Sequence, residues 1–116
     1  MSDPSFEARP WGSFTVLDDS TTHKVKTLTV NPNHRLSYQR HQQRAEHWFV
    51  VTGTATVTLD DREHTVRQGQ HVDIPLMAWH RIENRGTEDL VFVEVQHGAY
   101  FGEDDIERRS DDYGRA

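Results

Sequence analysis

The chain has 116 residues, a net charge of −6 and no cysteine, and 34% of its residues are hydrophobic. That length holds one domain with one core, and a mean hydropathy of −0.85 around clustered Val, Trp, Phe and Leu describes a folded chain, part of whose core is expected to be completed by a partner subunit. The composition excludes a disulfide framework and thiolate metal sites, a membrane-spanning helix, and general binding to nucleic acid or anionic membrane, which takes a basic face.

In chain order, the sequence predicts short strands divided by turns. Met1 to Pro10 lacks the basic-then-apolar layout of a signal peptide, so cytoplasmic residence is expected. Phe14–Leu17 and Lys24–Val30 come next, separated by Asp18-Asp19-Ser20, and Asn31-Pro32-Asn33 ends the second run. Glu46–Thr52 and Thr54–Leu59 flank Gly53. His64–Val66 follows Asp60-Asp61, and His71–Ile74 follows Gln68-Gly69-Gln70. Trp79–Glu83 and Leu90–Gln96 lie on either side of Asn84-Arg85-Gly86. The runs are rich in Val, Thr and aromatics, and the breaks carry turn-forming residues. Short strands at near-regular spacing predict a sandwich or barrel rather than alternating strands and helices.

The barrel is placed at about residues 9–98, followed by an acidic tail, 99–116, in which Gly102–Tyr113 reads as a short helix. Between Glu103 and Asp112 six acids face two bases, a net of −4 that leaves only −2 for the rest of the chain. An anionic small molecule can therefore bind where Arg and Lys cluster. Along Thr54–Leu59 the threonines form a wet face and Ala55, Val57 and Leu59 a dry one. Along Leu90–Gln96 the rows are Val91, Val93, Val95 and Phe92, Glu94, Gln96. Either row satisfies the alternation as the inner one.

Two stretches carry metal-capable residues at regular spacing. The first runs Asn33, five residues, Gln39, one residue, His41, four residues, Glu46, six residues, Gly53. The second runs Gly69, five residues, Pro75, four residues, His80, three residues, Asn84. This spacing resembles the split signature of the cupins, which implies an all-β double-stranded β-helix, a jelly-roll barrel. It also implies that Gln39, His41, Glu46 and His80 converge on one divalent ion. The strand pattern agrees, because residues two apart share a face and a hairpin brings Glu46 beside His41. One amide, two imidazoles and one carboxylate suit Zn, Mn, Fe, Co or Ni. Gln39 is equally readable as a hydrogen-bonding group behind the ligands. Of the eight histidines, His23, His34, His64 and His71 are expected at the surface.

Longer strings carry a closer resemblance. Arg9-Pro10-Trp11-Gly12-Ser13-Phe14, Lys24-Val25-Lys26, the run Leu36 to Ala55 with Arg44-Ala45-Glu46-His47-Trp48, Glu94-Val95-Gln96, Gly102-Glu103-Asp104-Asp105-Ile106 and Asp111-Asp112-Tyr113-Gly114-Arg115 occur in order. Together they resemble the type II phosphomannose isomerase domain over nearly the whole chain. In that family the domain usually follows a mannose-1-phosphate guanylyltransferase domain. No such domain fits in 116 residues, so a free-standing isomerase domain is expected. The chain departs from the family pattern at Gln42, Gln43, Asn33, Met77 and His97. Met77 stands where the pattern has Gly and implies a loop that avoids positive φ, whereas Asn33 tolerates it. His97 is expected to add a polar group near the site.

The resemblance implies interconversion of mannose 6-phosphate and fructose 6-phosphate. That reaction needs an electrophile, which the metal supplies, a base and a cationic phosphate grip. Glu94 is the candidate base if its row faces inward, and His47 and His97 are lesser candidates. Arg9, Lys26 and Arg44 are the candidate grip, and an inward Lys26 needs an anionic partner. Trp11, Trp48 and Trp79 are expected in the core or at subunit contacts, with Trp79 the best candidate for stacking on a sugar. Two further classes compete. One is a non-catalytic sugar-phosphate- or sugar-nucleotide-binding cupin associated with a guanylyltransferase and polysaccharide biosynthesis. The other is an Fe(II) oxygenase using His41, His80 and Glu46, which the polar Lys26, Arg44, Glu94 and Gln96 disfavour. A homodimer is expected by analogy with small cupins.

Overall fold

The strands seen as apolar runs in the sequence are all present in the computed structural model, which describes residues 6–102 and 104–114. In chain order they are β1 (Phe6–Arg9), β2 (Gly12–Asp19), β3 (His23–Val30), β4 (His34–Arg35), β5 (Tyr38–Arg40), β6 (Arg44–Thr52), β7 (Thr54–Leu59), β8 (Arg62–Arg67), β9 (His71–Ile74), β10 (His80–Asn84), β11 (Leu90–Gly98) and β12 (Glu107–Ser110). Strands β1, β4, β5 and β12 were not expected from sequence. Two are only two or three residues long, and the others are charged. Neither kind carries an alternating apolar row.

One sheet runs β1-β2-β3-β11-β6-β9 and the other β12-β5-β10-β7-β8, with β4 also on β10. Every pairing is antiparallel. The chain crosses between sheets, giving the double-stranded β-helix. Phe14, Leu28, Trp48, Val50 and Phe92 from the first sheet, with Trp11 from the turn before β2, meet Ala55, Val57, Val66 and Ile82 from the second in one apolar cluster.

The helix expected over Gly102–Tyr113 is absent. Glu107 and Arg108 instead pair with Arg40 and Gln39, adding β12 to the second sheet. Arg40 bonds Glu107 at 2.9 Å, and Arg35 grips both oxygens of Asp112 at 2.7 and 3.0 Å. The segment has no apolar stripe at helical spacing to bury, so the open edge of β5 decides its conformation. Glu103 and Arg115 of the quoted strings lie outside the described residues.

The rows of β11 are now assigned. Leu90, Phe92, Glu94 and Gln96 are buried, and the three valines between them are half-buried on the outer side. Gly53, between β6 and β7, has φ of 85°, and a Cβ there would lie 2.9 Å from the Asp89 carbonyl oxygen. A side chain is excluded on both counts.

Met77 departs from expectation. It adopts φ of 69° in the loop before His80, and its amide donates to the His41 carbonyl at 2.9 Å. That bond joins the two motifs and holds Met77 in a left-handed conformation costing roughly 1–2 kcal/mol for an L-residue. Met77→Gly is therefore expected to raise the unfolding free energy by about 0.5–1 kcal/mol, after allowing for the freer unfolded chain. Urea denaturation checks this, and a lower midpoint would refute the strain. Asn33, at φ of 62°, takes the left-handed conformation as expected.

Candidate metal centre and its cavity

His41, Glu46 and His80 come from three places in the fold and meet at one point. Glu46 lies on β6 in an inward row with Trp48 and Val50, all buried. His80 opens β10, directly opposite Gln39 of β5. His41 follows β5 in the loop that leads into β6. One ligand atom from each of the three lies within 4.8 Å of the others. His41 Nε2 is 3.2 Å from Glu46 Oε2, and His80 Nε2 is 3.8 Å from Glu46 Oε1. All three side chains are at most 3% exposed.

The imidazoles are oriented from behind. His41 Nδ1 donates to the Asp105 carbonyl at 2.8 Å, and His80 Nδ1 donates to the Ala78 carbonyl at 2.9 Å. These bonds assign the hydrogens to Nδ1 and leave each Nε2 with a lone pair aimed at Glu46. His80 Nε2 is buried with no hydrogen-bond partner among the described residues. A buried acceptor left this way costs free energy, and a cation satisfies it. Two Nε2 lone pairs and a carboxylate are a donor set for a borderline divalent ion. The three side chains can therefore hold one such ion, and its identity is not encoded in them.

The charges are poised for that. Burial alone would raise the Glu46 carboxyl, but the His41 imidazole in contact with it and the neighbouring His80 and Arg44 hold it well below the ordinary carboxylate range. Burial lowers His80, more than the Glu46 charge raises it, so it stays neutral and ligand-competent at neutral pH. Glu94 goes the other way. Burial first and the Glu46 charge second push it up to about 7, against the opposing pull of Lys26 and Arg44.

Trp48 joins the two carboxylates. Its indole N–H lies 3.0 Å from Glu46 Oε1 and 3.1 Å from Glu94 Oε1. The Gln96 amide donates to Glu94 Oε2 at 2.6 Å. Lys26 pairs directly with Glu94 in the β3–β11 register, which supplies the anionic partner an inward lysine needs.

Trp48 and both carboxylates line one cavity of about 370 Å³ between the sheets, within the usual size range of a small-molecule site. Gln39, Glu46, His80 and Glu94 line it, as do Arg9, Lys26 and Arg44. Arg44 lies deeper than expected. It is 5% exposed, donates from Nε to Glu46 Oε2 at 3.0 Å and places Nη2 3.1 Å from His41 Nε2. Arg81 and Arg108 also line the cavity. Five bases thus face two acids in a chain whose net charge is −6.

A family profile described as "Mannose-6-phosphate isomerase C-terminal" matches residues 5–111. The chain belongs to this family. It is similar to "Alginate biosynthesis protein AlgA" of Pseudomonas aeruginosa, 50% identical over 107 residues, covering 92% of this chain and 22% of that protein. It is also 45% identical to "Mannose-1-phosphate guanylyltransferase" of Escherichia coli K12, over 92% of this chain and again 22% of the relative. The chain thus spans about a fifth of the length of these curated relatives. Among solved structures, the capsular polysaccharide assembling protein CapF from Staphylococcus aureus superposes with a TM-score of 0.80 at 24% identity. That match covers 90% of this chain and 31% of CapF and establishes the fold.

Several residues lie elsewhere than the sequence suggested. His97 is exposed on the outer side of β11 and adds nothing to the cavity. His47, one residue from Glu46, points outward with it, so neither imidazole lines the cavity. Trp79 does not line the cavity; it lies against Tyr38, with the guanidinium groups of Arg40 and Arg109 4.7 and 5.1 Å from its ring centroid. Arg81 and Arg108 were missed. Arg81 directly follows His80 in the sequence, and Arg108 lies in the acidic tail, where a charge count alone gives no sign of a cavity position. Among the described residues, no helix is long and apolar enough to cross a membrane.

Asp105 was also missed. Its carbonyl orients His41, and its carboxylate accepts from the Gln42 and Gln43 amides at 3.1 and 2.9 Å. Asp105→Ala keeps the carbonyl behind His41 but releases the Gln42 and Gln43 amides that fix its position, and is expected to weaken cation binding by up to roughly 10-fold, the lower end of what a group behind a ligand contributes. Competition with a chromogenic chelator measures it; unchanged affinity would show that the clamp is dispensable.

Proposed function

We propose that this domain binds one divalent cation and a phosphosugar, and interconverts mannose 6-phosphate and fructose 6-phosphate in the supply of precursors for polysaccharide biosynthesis. The observation that carries this reading is Glu94, a buried carboxylate held up to about 7 in the same cavity as Glu46 and His80 of the metal-capable cluster. When bound, the cation supplies electrophilic stabilisation of charge on the sugar oxygens. Glu94 takes the proton from C2 and returns it to C1, with Trp48 and Gln96 holding its two oxygens. Arg9, Lys26, Arg81 and Arg108 line the same cavity and suit the phosphate. Gln39 is proposed as a fourth ligand. The aldose–ketose exchange adds and removes no atoms: the hydrogen that Glu94 carries moves from C2 to C1, and the hydroxyl proton passes from O2 to O1 across the enediolate.

A second reading is a non-catalytic sugar-phosphate- or sugar-nucleotide-binding cupin working beside a guanylyltransferase. The relatives' names support it, because they speak of guanylyltransferase and alginate biosynthesis. The deciding experiment incubates the chain with mannose 6-phosphate in deuterated water, after chelation and after reloading with Mn, Co, Ni or Zn. Deuterium entering the sugar, with fructose 6-phosphate formed, supports the isomerase. Saturable binding with no exchange under any metal establishes the binding module instead. A homodimer also stands as a proposal, supported by exposed Phe6 and Leu17 on β1 and β2 and tested by sedimentation velocity.

A further inference from the structure

On the outer face of the first sheet, away from the cavity, β6 and β11 bring two imidazoles together. His47 pairs in register with Val95 and His97 with Ala45, so the histidines are diagonal neighbours on one face. Their ring planes differ by 9° with centroids 4.9 Å apart, and their Nε2 atoms are 2.9 Å apart. Behind His47, on β9, Asp73 accepts a hydrogen bond from His47 Nδ1 at 2.8 Å. His47 therefore keeps its hydrogen on Nδ1 and offers a lone pair at Nε2. His97 Nδ1 makes no hydrogen bond among the described residues, so the His97 hydrogen can reside there and free the second Nε2.

This is a carboxylate–histidine pair of the kind that backs metal ligands, with a second imidazole at coordination distance. At a metal–nitrogen length of about 2.0–2.1 Å, two ligands at a right angle stand about 2.9 Å apart. We infer that His47 and His97 form a second, surface site for a divalent cation of the Cu(II), Ni(II) or Zn(II) class. Asp73 orients His47, and solvent fills the remaining positions. The site is independent of the buried centre, because strand alternation sends Glu46 inward and His47 outward.

The test titrates the untagged, chelator-treated chain with Ni(II) in a calorimeter. Wild type is expected to show two binding events. His97→Gln and His47→Gln, both substitutions on the outer face, each remove the same one, and Asp73→Asn weakens it roughly 10–100-fold. The surface event persists in His41→Ala, and equally in wild type preloaded with one equivalent. Cu(II) added to that preloaded protein is expected to show two imidazole nitrogens by electron spin echo spectroscopy, with one lost in His97→Gln. A single event in wild type that neither glutamine variant alters would overturn the proposal and leave the pair as a simple N–H···N hydrogen bond. An undiminished second event in both variants would overturn it as well. Failure of the buried centre is read separately, as a first event unaffected by His41→Ala.

Discussion

Glu94→Gln is expected to leave the buried cation bound and to lower kcat by at least about 100-fold, the lower end of a general base's contribution. The substitution changes little else. Glutamine has the same shape, its carbonyl oxygen can still accept from Trp48 while the Gln96 amide turns over to accept from the new NH2, and it removes a charge that burial disfavours. Loss of turnover with metal content intact therefore isolates the proton transfer. The pH profile adds a second readout. The base works only when deprotonated, so kcat/KM rises with pH as Glu94 loses its proton. Starting from about 7, a bound cation shifts that limb to lower pH, and replacement metals of different charge density shift it by different amounts. Glu94→Gln abolishes the limb. Turnover retained at the wild-type level in Glu94→Gln would clear Glu94 of the role.

His41→Ala is expected to abolish the buried binding event and the activity together. The cation affinity at that centre should fall by more than about 100-fold, beyond the 10–100-fold typical of residues that only support a ligand. His41 contributes a buried Nε2 lone pair and is tied from behind to the Asp105 carbonyl. Its removal also deprives Arg44 of a contact and leaves that carbonyl unpaired at a cost of about 1–3 kcal/mol. Circular dichroism and metal analysis by plasma mass spectrometry, read together, separate loss of the ion from loss of the fold. A folded His41→Ala protein that keeps its buried ion at wild-type affinity would place the centre elsewhere.

The two variants divide the site. His41→Ala should remove metal and turnover, whereas Glu94→Gln should remove turnover alone. A binding module would respond to the first and ignore the second. Arg44 sits between the two functions. Its guanidinium contacts Glu46 and His41 while lining the same cavity as Glu94, so its positive charge reaches both the ligands and the base.

Much of this was legible in the chain. The spacing from Gln39 to Glu46 and the isolated His80 mark the centre, and period-2 alternation correctly groups Glu46 with Trp48 and Glu94 with Gln96. Alternation states which side chains share a face, but not which face is inside, because inversion of a strand leaves the pattern unchanged. On β11 valine, phenylalanine, glutamate and glutamine made both choices self-consistent. Stacking against the second sheet, with Lys26 already opposite Glu94, decided for the polar row. The same limit explains Trp79 and His97: each is next to or near a site residue in sequence, and each is turned outward.

What the sequence determined by itself was therefore local and periodic: the strand runs, the turn at Gly53, and the kinds of donor available to a cation. Tertiary structure alone decided that the tail becomes a strand carrying Arg108 to the site, with Asp105 just before it, that Met77 accepts a left-handed backbone, and that Arg44 reaches the ligands. These outcomes depend on contacts between segments far apart in the chain, where an open strand edge or an unpaired buried carbonyl outweighs the local preference of a few residues.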